Sequence, residues 1–420
     1  MLERLPGAVL ALVLAPSIAV AGPFARVTNG DNDGAGSLRA ALESGATKIL
    51  IARSVDEIVV TETLEYTGTA PLTLFGTGQL IDGSGVEPNS EPVIAVTEGA
   101  NLSITNLTVD AGGGNEFGPY NRLNQGGGKG IFIAVPEDRT GTVRLNMWNV
   151  TVMGTGNHGV HVSDCSLADD CGGGGGGGGD GSPASVAVRA IGVLIEDSGN
   201  GKQDADGLRV DERGDGNISF FAINSAFNDV GADGVELDEG NNGDVIINVS
   251  NSTFDFNGEY CVVGPFIPGD PCDDDGDPDV DDAFDVDEAG PGSVRGSVRN
   301  LTVINNFDEG LDFDEEDEGG FNVRITNVFA QNNADEGIKL SEEDDGNNRA
   351  RLRGIIADGD LEFEEEDGGL LDIAISGSFV GDDMKLAADD GDPTTIDGFY
   401  KERNTIVIDE RDFEGDIVEL

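Results

Sequence analysis

Acidic side chains recur at fixed positions between residues 206 and 342, in a motif that could bind cations or take part in acid–base chemistry. Each copy of the motif reads acid, small residue, apolar, any residue, apolar, acid or Ser, acid. The five copies start at Asp206, Asp233, Asp282, Glu309 and Glu336. Three of the four intervals are 27 residues, and the other, 49 residues, is one such interval plus a 22-residue insertion. A fixed period of this length is typical of stacked supersecondary units that share one core.

The fourth position of the motif is predicted to form one outward, solvent-exposed face. The two apolar residues of each copy alternate with polar ones, which is the period of a β-strand with one buried side. With the weaker copies on either side included, this column reads Phe132, His161, Arg209, Glu236, Asp285, Asp312, Lys339, Glu362 and Lys385. The sixth position adds a second column, Asp211, Asp238, Asp287 and Asp314.

These two columns concentrate carboxylates that need a counter-ion. Unit charges stacked about 4.8 Å apart repel by about 0.9 kcal/mol in bulk water and by about 3.5 kcal/mol at an effective dielectric of 20. Calcium suits such a face because it takes several hard oxygen ligands. The predicted calcium ligands are Asp285, Asp287, Asp312 and Asp314, with Glu236 and Asp238 one repeat earlier. The alternative is a solvated acidic surface adapted to high salt.

A second acidic group lies inside the insertion, from residue 273 to residue 282. Its alternate carboxylates surround a Gly, and Asp273, Asp275 and Asp279 are candidate calcium ligands. The run lacks the EF-hand spacing, because residue 271 is Pro and no Glu closes the loop. It loosely resembles the Asp-rich calcium repeats of extracellular matrix proteins. An acidic loop without metal is the alternative.

Three side chains of the fourth-position column, Lys339, Arg209 and His161, are the catalytic candidates. A polysaccharide lyase acting on uronates needs a cation beside the substrate carboxylate and a Lys or Arg base. A glycoside hydrolase needs two carboxylates at a set separation. An acidic column supplies almost any carboxylate pair, so this match has little specificity. Trp148, the only tryptophan, is expected to pack in the core, and the low aromatic content argues against a large sugar platform.

Asparagines repeat in the same register as the acidic motif. Asn224, Asn251, Asn300 and Asn327 are separated by 27, 49 and 27 residues, each among alternating apolar residues. This alternation is typical of strands, and buried Asn side chains in successive coils can hydrogen-bond to one another. The sequence therefore predicts an all-β fold, a single right-handed parallel β-helix (solenoid) over residues 46–420, with insertions at about 165–185 and 259–281.

Residues 22–45 are predicted to form an N-terminal cap with a short helix. Ser37–Glu43 contains strong helix formers and places three apolar residues on one face, which can cover the open edge of the first coil. The segments Gly34–Leu42, Ile49–Ala52 and Leu74–Gly83 resemble those of exported bacterial right-handed parallel β-helix repeat proteins of the pectin-lyase-like superfamily. The resemblance implies a three-faced coil and an extracellular or cell-surface role, often with polysaccharides.

Residues 1–21 are predicted to be a cleaved signal peptide. The apolar run Ala8–Ala15 is too short to span a bilayer, and small residues precede Gly22. No later apolar run reaches about 18 residues, so no integral membrane segment is expected in the mature chain.

The four cysteines are predicted to form two local disulfides. Cys165 with Cys171 and Cys261 with Cys272 each flank an insertion, which suits loop-pinning bonds in an oxidising compartment. Zinc is a poor alternative, because the sequence has no Cys-x-x-Cys motif.

The net charge excludes one class of partner. With 24 basic and 81 acidic residues the formal charge is −57, which argues against nucleic acid. The leading hypothesis is an exported cation-binding β-helix, secreted, periplasmic or at the cell surface, that binds polysaccharide or partner surfaces, with catalysis unproven. The first alternative is a calcium-dependent polysaccharide lyase or glycoside hydrolase. The second is a halophilic secreted solenoid whose acidity serves solubility only.

Overall fold

The computed structural model describes residues 23–86, 91–113, 128–165, 181–199, 204–260, 281–344, 346–365 and 369–381, followed by four further strands within 383–419. These residues form an all-β structure with one short helix and long parallel sheets. Within this described part, no helix is long and apolar enough to cross a membrane. The predicted signal peptide and most of both insertions, including Asp273, Asp275 and Asp279, lie outside the described residues.

The elements follow one another along the chain as a long series of short strands. In order they are β1 (Phe24–Val27), α1 (Leu38–Glu43), β2 (Lys48–Ile51), β3 (Glu57–Val59), β4 (Leu64–Tyr66), β5 (Leu72–Asp82), β6 (Ile94–Val96), β7 (Leu102–Asp110), β8 (Ile131–Ala134), β9 (Gly141–Met153), β10 (Val160–Ser163), β11 (Ala184–Ile191), β12 (Leu194–Ser198), β13 (Leu208–Glu212), β14 (Ile218–Ile223), β15 (Ala226–Val230), β16 (Val235–Glu239), β17 (Asp244–Ser250), β18 (Thr253–Asn257), β19 (Phe284–Ala289), β20 (Ser293–Ile304), β21 (Asp312–Glu316), β22 (Phe321–Gln331), β23 (Ile338–Glu342), β24 (Asn348–Arg353), β25 (Ile356–Ala357), β26 (Leu361–Glu365), β27 (Asp372–Ser376), β28 (Phe379–Val380), β29 (Asp383–Ala388), β30 (Thr395–Phe399), β31 (Thr405–Ile408) and β32 (Asp416–Glu419).

The acidic motif forms one strand of a 12-stranded parallel sheet in every repeat. We call it the motif sheet, and its order is β31-β29-β26-β23-β21-β19-β16-β13-β10-β8-β6-β4. Each strand pairs in register with the strand one repeat later, as in Leu208 with Val235 and Val235 with Phe284. The second pairing spans the 49-residue interval without a shift. The insertion therefore leaves the register of this sheet unchanged.

The remaining strands from β1 to β28 form an 18-stranded sheet with two strand segments per repeat, which we call the long sheet. The two segments meet at the predicted asparagines, of which Asn224 has φ 52° and Asn300 φ 54°. Asn300 donates to Asn251 Oδ1 at 2.9 Å, and Asn327 donates to Asn300 Oδ1 at 3.0 Å. The stacking is as predicted, but these side chains are exposed rather than buried. Asn suits the corner because it tolerates the left-handed backbone conformation better than most residues do.

A different set of asparagines forms a ladder inside the protein. Asn257 donates to Asn306 Oδ1 at 3.0 Å, and Asn306 donates to Asn333 Oδ1 at 2.8 Å. Asn257 and Asn306 are buried. This ladder satisfies amide groups that would otherwise be costly to bury.

The core lies between the sheets and is continuous along the stack. Its centre contains a row of phenylalanines, with Phe227 and Phe254 stacked at 5.1 Å between ring centroids and Phe254 and Phe284 at 5.5 Å. Trp148 does not belong to this core, contrary to the prediction, because it is 61% exposed. Its neighbour Met147 points inward, so alternation places Trp148 on the outside.

Helix α1 lies within the predicted cap and contacts the first strands of both sheets, β1, β2 and β4. The hydroxyl of Ser37 accepts a hydrogen bond from the N–H of Ala40 and caps the helix. Leu38, Ala41 and Leu42 are its buried residues. The right-handed turn of a single β-helix and the domain limits remain predictions.

Candidate functional site

The first acid of the motif has a structural role in the stack. Asp206 Oδ1 accepts from the backbone N–H of Asp233 at 3.1 Å, and Asp233 Oδ1 accepts from Asp282 N at 2.5 Å. Asp282 Oδ1 accepts in turn from Glu309 N at 2.8 Å. Each of these three carboxylates thus joins one repeat to the next, which gives the acid at this position a structural role.

The fourth-position column is buried over much of its length, whereas the sequence predicted an exposed face. His161 is 0%, Arg209 5% and Glu236 6% exposed. Residues that precede the strands fold over the column: the ring of His158 lies 4.6 Å from that of His161. Periodicity distinguishes the inside of a coil from its outside, but it does not reveal what covers the outside.

Arg209 lies at the centre of a group of acids, which we call the Arg209 cluster: the buried Asp206, Asp211 and Glu236 and the exposed Asp204. Its guanidinium donates to Asp211 at 2.7 Å, Asp204 at 2.9 Å and Glu236 at 2.5 Å. Burial disfavours the charged guanidinium and by itself would lower its pKa. The attraction of the Glu236 and Asp211 carboxylates is larger, so the pKa of Arg209 is raised above its usual value. One oxygen each of Asp204, Asp206 and Glu236 lie within 4.8 Å of one another. The guanidinium therefore balances a group of acids that has the form of a metal site.

His161 is a hydrogen-bond donor to the same cluster. Its Nε2 lies 2.5 Å from Asp211 Oδ2, and its Nδ1 is buried without a hydrogen-bond partner. Burial, together with the nearby Lys129, lowers the pKa of His161 to about 4. Burial also lowers the pKa of Lys129 to about 7. His161 is therefore neutral at pH 7, with its proton on Nε2 toward Asp211.

The predicted calcium ligands form a continuous group next to the Arg209 cluster. Asp285 and Asp287 lie in register with Asp312 and Asp314, and we call these four the aspartate square. One oxygen each of Glu236, Asp285 and Asp287 lie within 4.8 Å of one another. Burial, then repulsion by neighbouring acids, raises the pKa of Asp285 well above its usual value. Burial raises the pKa of Asp287 to about 7. Four acids in this environment need either protons or cations.

One base reaches the far side of the aspartate square. Lys339 Nζ lies 2.9 Å from Asp312 Oδ2 and 3.7 Å from Glu309 Oε1. The second oxygen of Asp312, Oδ1, is buried without a hydrogen-bond partner, and so is Asp314 Oδ1. Asp312 is 7% exposed. Each of these two carboxyl groups therefore has one oxygen that no other described side chain contacts by a hydrogen bond.

The remaining predicted ligands have different surroundings. Asp238 forms an ion pair with Arg213, and Arg209 lies 3.5 Å from its carboxylate. Asp238 therefore already has cationic partners. A third group, which the sequence reading missed as a metal site, brings one oxygen each of Asp282, Asp308 and Glu309 within 4.8 Å of one another. Cys165 is described, but Cys171, Cys261 and Cys272 lie outside the described residues, so both disulfides remain predictions.

The last acid of the motif forms a buried column that the sequence reading also missed. Six glutamates stack in register on successive strands of the motif sheet. This glutamate ladder consists of Glu212, Glu239, Glu288, Glu315, Glu342 and Glu365. All six are at most 2% exposed. The signal in the sequence is a Gly four residues after each Glu, as in Glu288 and Gly292, which leaves room for the carboxyl group.

Most carboxyl oxygens of the ladder are buried without a hydrogen-bond partner among the described residues. Both oxygens of Glu288 are of this kind, and Glu239 and Glu315 lie in register on either side of it. Burial, then the neighbouring acids, raises the pKa of Glu288 to about 11 and that of Glu342 to about 9. The ladder therefore keeps protons that the same residues lose to water in the unfolded chain.

In calcium-free buffer, the protein is expected to lose stability as the pH rises from 5 to 9. The ladder pKa values in the folded protein, about 7 for Glu315 and about 9 for Glu342, lie above the usual 4.5. Their contribution is thus complete below about pH 4.5 and is lost as the pH rises through these values. Thermal melts check this slope. Glu288→Gln should flatten it, whereas the exposed Glu318→Gln should not; equal slopes in all three proteins would contradict the role of the ladder.

The catalytic candidates are brought together only in part. His161 and Arg209 both contact Asp211, whereas Lys339 lies four strands beyond Arg209 in the same column. None of the three lines the cavity beside α1 or the two cavities beside β22 and β24. All three side chains are engaged with carboxylates. The geometry therefore adds no support to the lyase or glycosidase hypothesis.

The chain matches no known family model, and no curated protein matches it. A solved structure, that of PfbA, a surface adhesin of Streptococcus pneumoniae, is similar with a TM-score of 0.31. The two chains are 11% identical, over 84% of this chain and 91% of that one. At this TM-score the likeness carries no argument about function. The resemblance to the pectin-lyase-like superfamily remains a prediction.

Proposed function

We propose that this protein is an exported, single right-handed parallel β-helix that binds calcium on the outer face of its motif sheet and binds surfaces outside the cell. The observation that carries the calcium site is the juxtaposition of Glu236, Asp285 and Asp287, whose oxygens lie within 4.8 Å of one another. The free, buried oxygens of Asp312 and Asp314 extend it. Calcium fits better than magnesium, because it accepts a larger and less regular set of carboxylate oxygens.

The order of charges along the column supports this position for the ion. Arg209 balances the acids at one end and Lys339 pairs with Asp312 at the other. Between these two bases, no ion pair reaches Asp285 or Asp287 in the described part of the chain. Calcium between them would supply the missing positive charge and remove the need to protonate the aspartate square.

Calcium should raise the thermal midpoint of the metal-free protein in a saturable way. A ligand that binds only the folded state stabilises it by about 2.7 kcal/mol at a hundredfold excess over its dissociation constant. The measurement is a set of melts with calcium, with magnesium, with EDTA and with molar sodium chloride. Asp285→Asn with Asp287→Asn should abolish the calcium response, because it removes two of the three clustered ligands.

A matched control is Asp317→Asn with Glu318→Gln, which changes the charge equally at two exposed positions. This variant should respond to calcium like the wild type. If sodium chloride alone reproduced the rise, or if both variants responded equally, the acidic columns would be a salt adaptation and the calcium site would be refuted.

The extracellular role rests on sequence features. The predicted signal peptide and paired cysteines suit an exported protein. A rigid stack of parallel sheets offers long, flat faces, which suit contact with an extended polymer or another surface. Secretion is tested by expressing the full chain in a bacterial host and determining whether residues 1–21 are removed from protein found outside the cytoplasm.

A further inference from the structure

Arginines are concentrated on one outer face of the long sheet. The face is formed by β20, β22 and β24, which pair in register. Six of the chain's 24 basic residues lie there: Arg295, Arg299, Arg324, Arg349, Arg351 and Arg353. The three strands carry no lysine. A basic face is unexpected in a protein with a formal charge of −57, and it lies on a different sheet from the acidic columns.

The arginines are aligned in neighbouring columns. Arg324 pairs with Arg351 in register. Two residues further along the strands, Thr326 lies between Arg299 and Arg353. Neighbouring strands are about 4.8 Å apart, and residues two apart share a face. Arg299, Arg324, Arg351 and Arg353 therefore lie near one another on this face.

Half of the six arginines make no ion pair. Arg295 pairs with Asp244, and Arg349 and Arg351 both pair with Asp372, at 3.0 and 2.7 Å. The other three, Arg299, Arg324 and Arg353, have no side-chain hydrogen bond or ion pair among the described residues. Acids outnumber bases 81 to 24 in this chain, so three adjacent arginines without an acid are available for an external anion.

A groove of about 540 Å³ lies among these side chains. Arg324, Arg351 and Arg353 line it together with the hydroxyls of Thr326 and Ser376. A second cavity of about 210 Å³, lined by Arg295 and Arg349 among others, lies toward the start of the same strands. The two cavities follow the strand direction, so an extended ligand can contact both.

A column of exposed apolar side chains lies just beyond the arginine columns. Phe329, Ile356 and Phe379 lie in register on three successive repeats. They are 39%, 44% and 39% exposed. This column follows directly after the corner that ends the arginine columns, and it adds an apolar surface beside an anion-binding site. Aromatic faces beside a few placed polar groups are typical of binding sites for ring-shaped ligands.

We propose that this face, the arginine groove, binds a polysaccharide that carries sulfate esters. Guanidinium groups pair with oxyanions through two parallel hydrogen bonds. They are also more weakly hydrated than ammonium groups, which favours a weakly hydrated anion such as a sulfate ester over a carboxylate. The bordering apolar column contacts the sugar rings. This inference gives the proposed surface-binding role a site and a ligand class, and it does not depend on the calcium site.

The test compares dextran sulfate with unsulfated dextran of the same length, by isothermal titration with the full mature protein. Dextran sulfate should bind, and dextran should not. Arg324→Gln with Arg353→Gln should weaken binding at least tenfold, because it removes two guanidinium groups that have no other partner. Arg144→Gln with Arg189→Gln is the matched control: it makes the same charge change on exposed positions of the long sheet, and its affinity should stay within twofold of the wild type.

Three results would overturn the proposal. The first is an equal loss of affinity in both double variants, which would indicate charge alone. The second is binding of polygalacturonate as tight as that of dextran sulfate, which would indicate a carboxylate ligand. The third is equally tight binding of polyglutamate, which would indicate an acidic protein partner. The titration is repeated with calcium and with EDTA, and binding should be the same in both, because the groove does not include the calcium site. A failure of the calcium proposal appears separately, in the thermal melts.

Discussion

Replacing Arg209 by Met should destabilise the folded protein by about 3–5 kcal/mol, the range for breaking a buried ion pair from one side. Arg209 is 5% exposed. Its guanidinium contacts Asp204, Asp211 and Glu236. Met fills a similar volume but leaves the buried carboxylates of Asp211 and Glu236 without their cation. Urea unfolding of both proteins measures the effect as a lower midpoint at an unchanged slope.

The control for this prediction is Arg189→Met on the outer face of the long sheet. Arg189 is exposed and lies over the ring of Phe221 at 5.0 Å. Its loss should cost no more than about 1 kcal/mol. An Arg209→Met protein as stable as the Arg189→Met protein would show that the cluster holds its acids protonated and does not need the guanidinium.

Calcium should recover more stability in the Arg209→Met protein than in the wild type. Without the guanidinium, the oxygens of Asp204, Asp206 and Glu236 remain within 4.8 Å of one another and become a further carboxylate site. The same urea experiment with and without calcium gives the difference. An equal calcium response in both proteins would contradict the idea that Arg209 takes the place of a metal ion.

Replacing Gly292 by Ala should cost about 3 kcal/mol or more, at the upper end for overpacking a close-packed core. A Cβ at Gly292 would lie less than 3.0 Å from both the carbonyl oxygen of Gly243 and Oε1 of Glu288. One of these is backbone and the other belongs to the buried ladder, so neither can move freely. Thermal unfolding measures the loss.

Gly359→Ala is the matched control for that substitution. A Cβ at Gly359 would meet only the carbonyl oxygen of Asp335, at 3.2 Å. This variant should unfold within about 1 kcal/mol of the wild type. A Gly292→Ala protein that melts together with Gly359→Ala would show that the ladder has room for a side chain and that its glycines are not required.

The spacing of the motif predicted the strands and their pairing, because in-register stacking requires equal residues at equal intervals. The 27-residue interval between Asp206 and Asp233 corresponds to the observed pairing of Leu208 with Val235. The helix at Leu38–Glu43 was predictable for a similar reason, since its apolar residues share one face. Strand pairing and the position of the helix could be predicted because both follow from the local spacing of residues, not from contacts between distant segments.

The environment of the polar columns was not predictable in the same way. Alternation placed Arg209 and Glu236 outside the coil, but only the folded chain shows that they are buried. Alternation also did not predict that Asn300 is exposed at a corner whereas Asn306 belongs to a buried ladder. For the glutamate ladder a signal did exist, since Gly292 follows Glu288 at the interval found in the other copies. That signal becomes meaningful only when a carboxyl group is known to need the space.

The unshifted pairing across the 49-residue interval has a consequence for how this molecule can change in length. Glu239 pairs with Glu288, and Val249 with Val298, as if the insertion were absent. If two repeats were joined at the same position of the motif, their strands would therefore pair in the register already present. Recombination between repeats within one gene could then add or remove whole repeats without changing the strand pairing. Each repeat added or removed in this way would change the number of stacked carboxylates by a fixed amount.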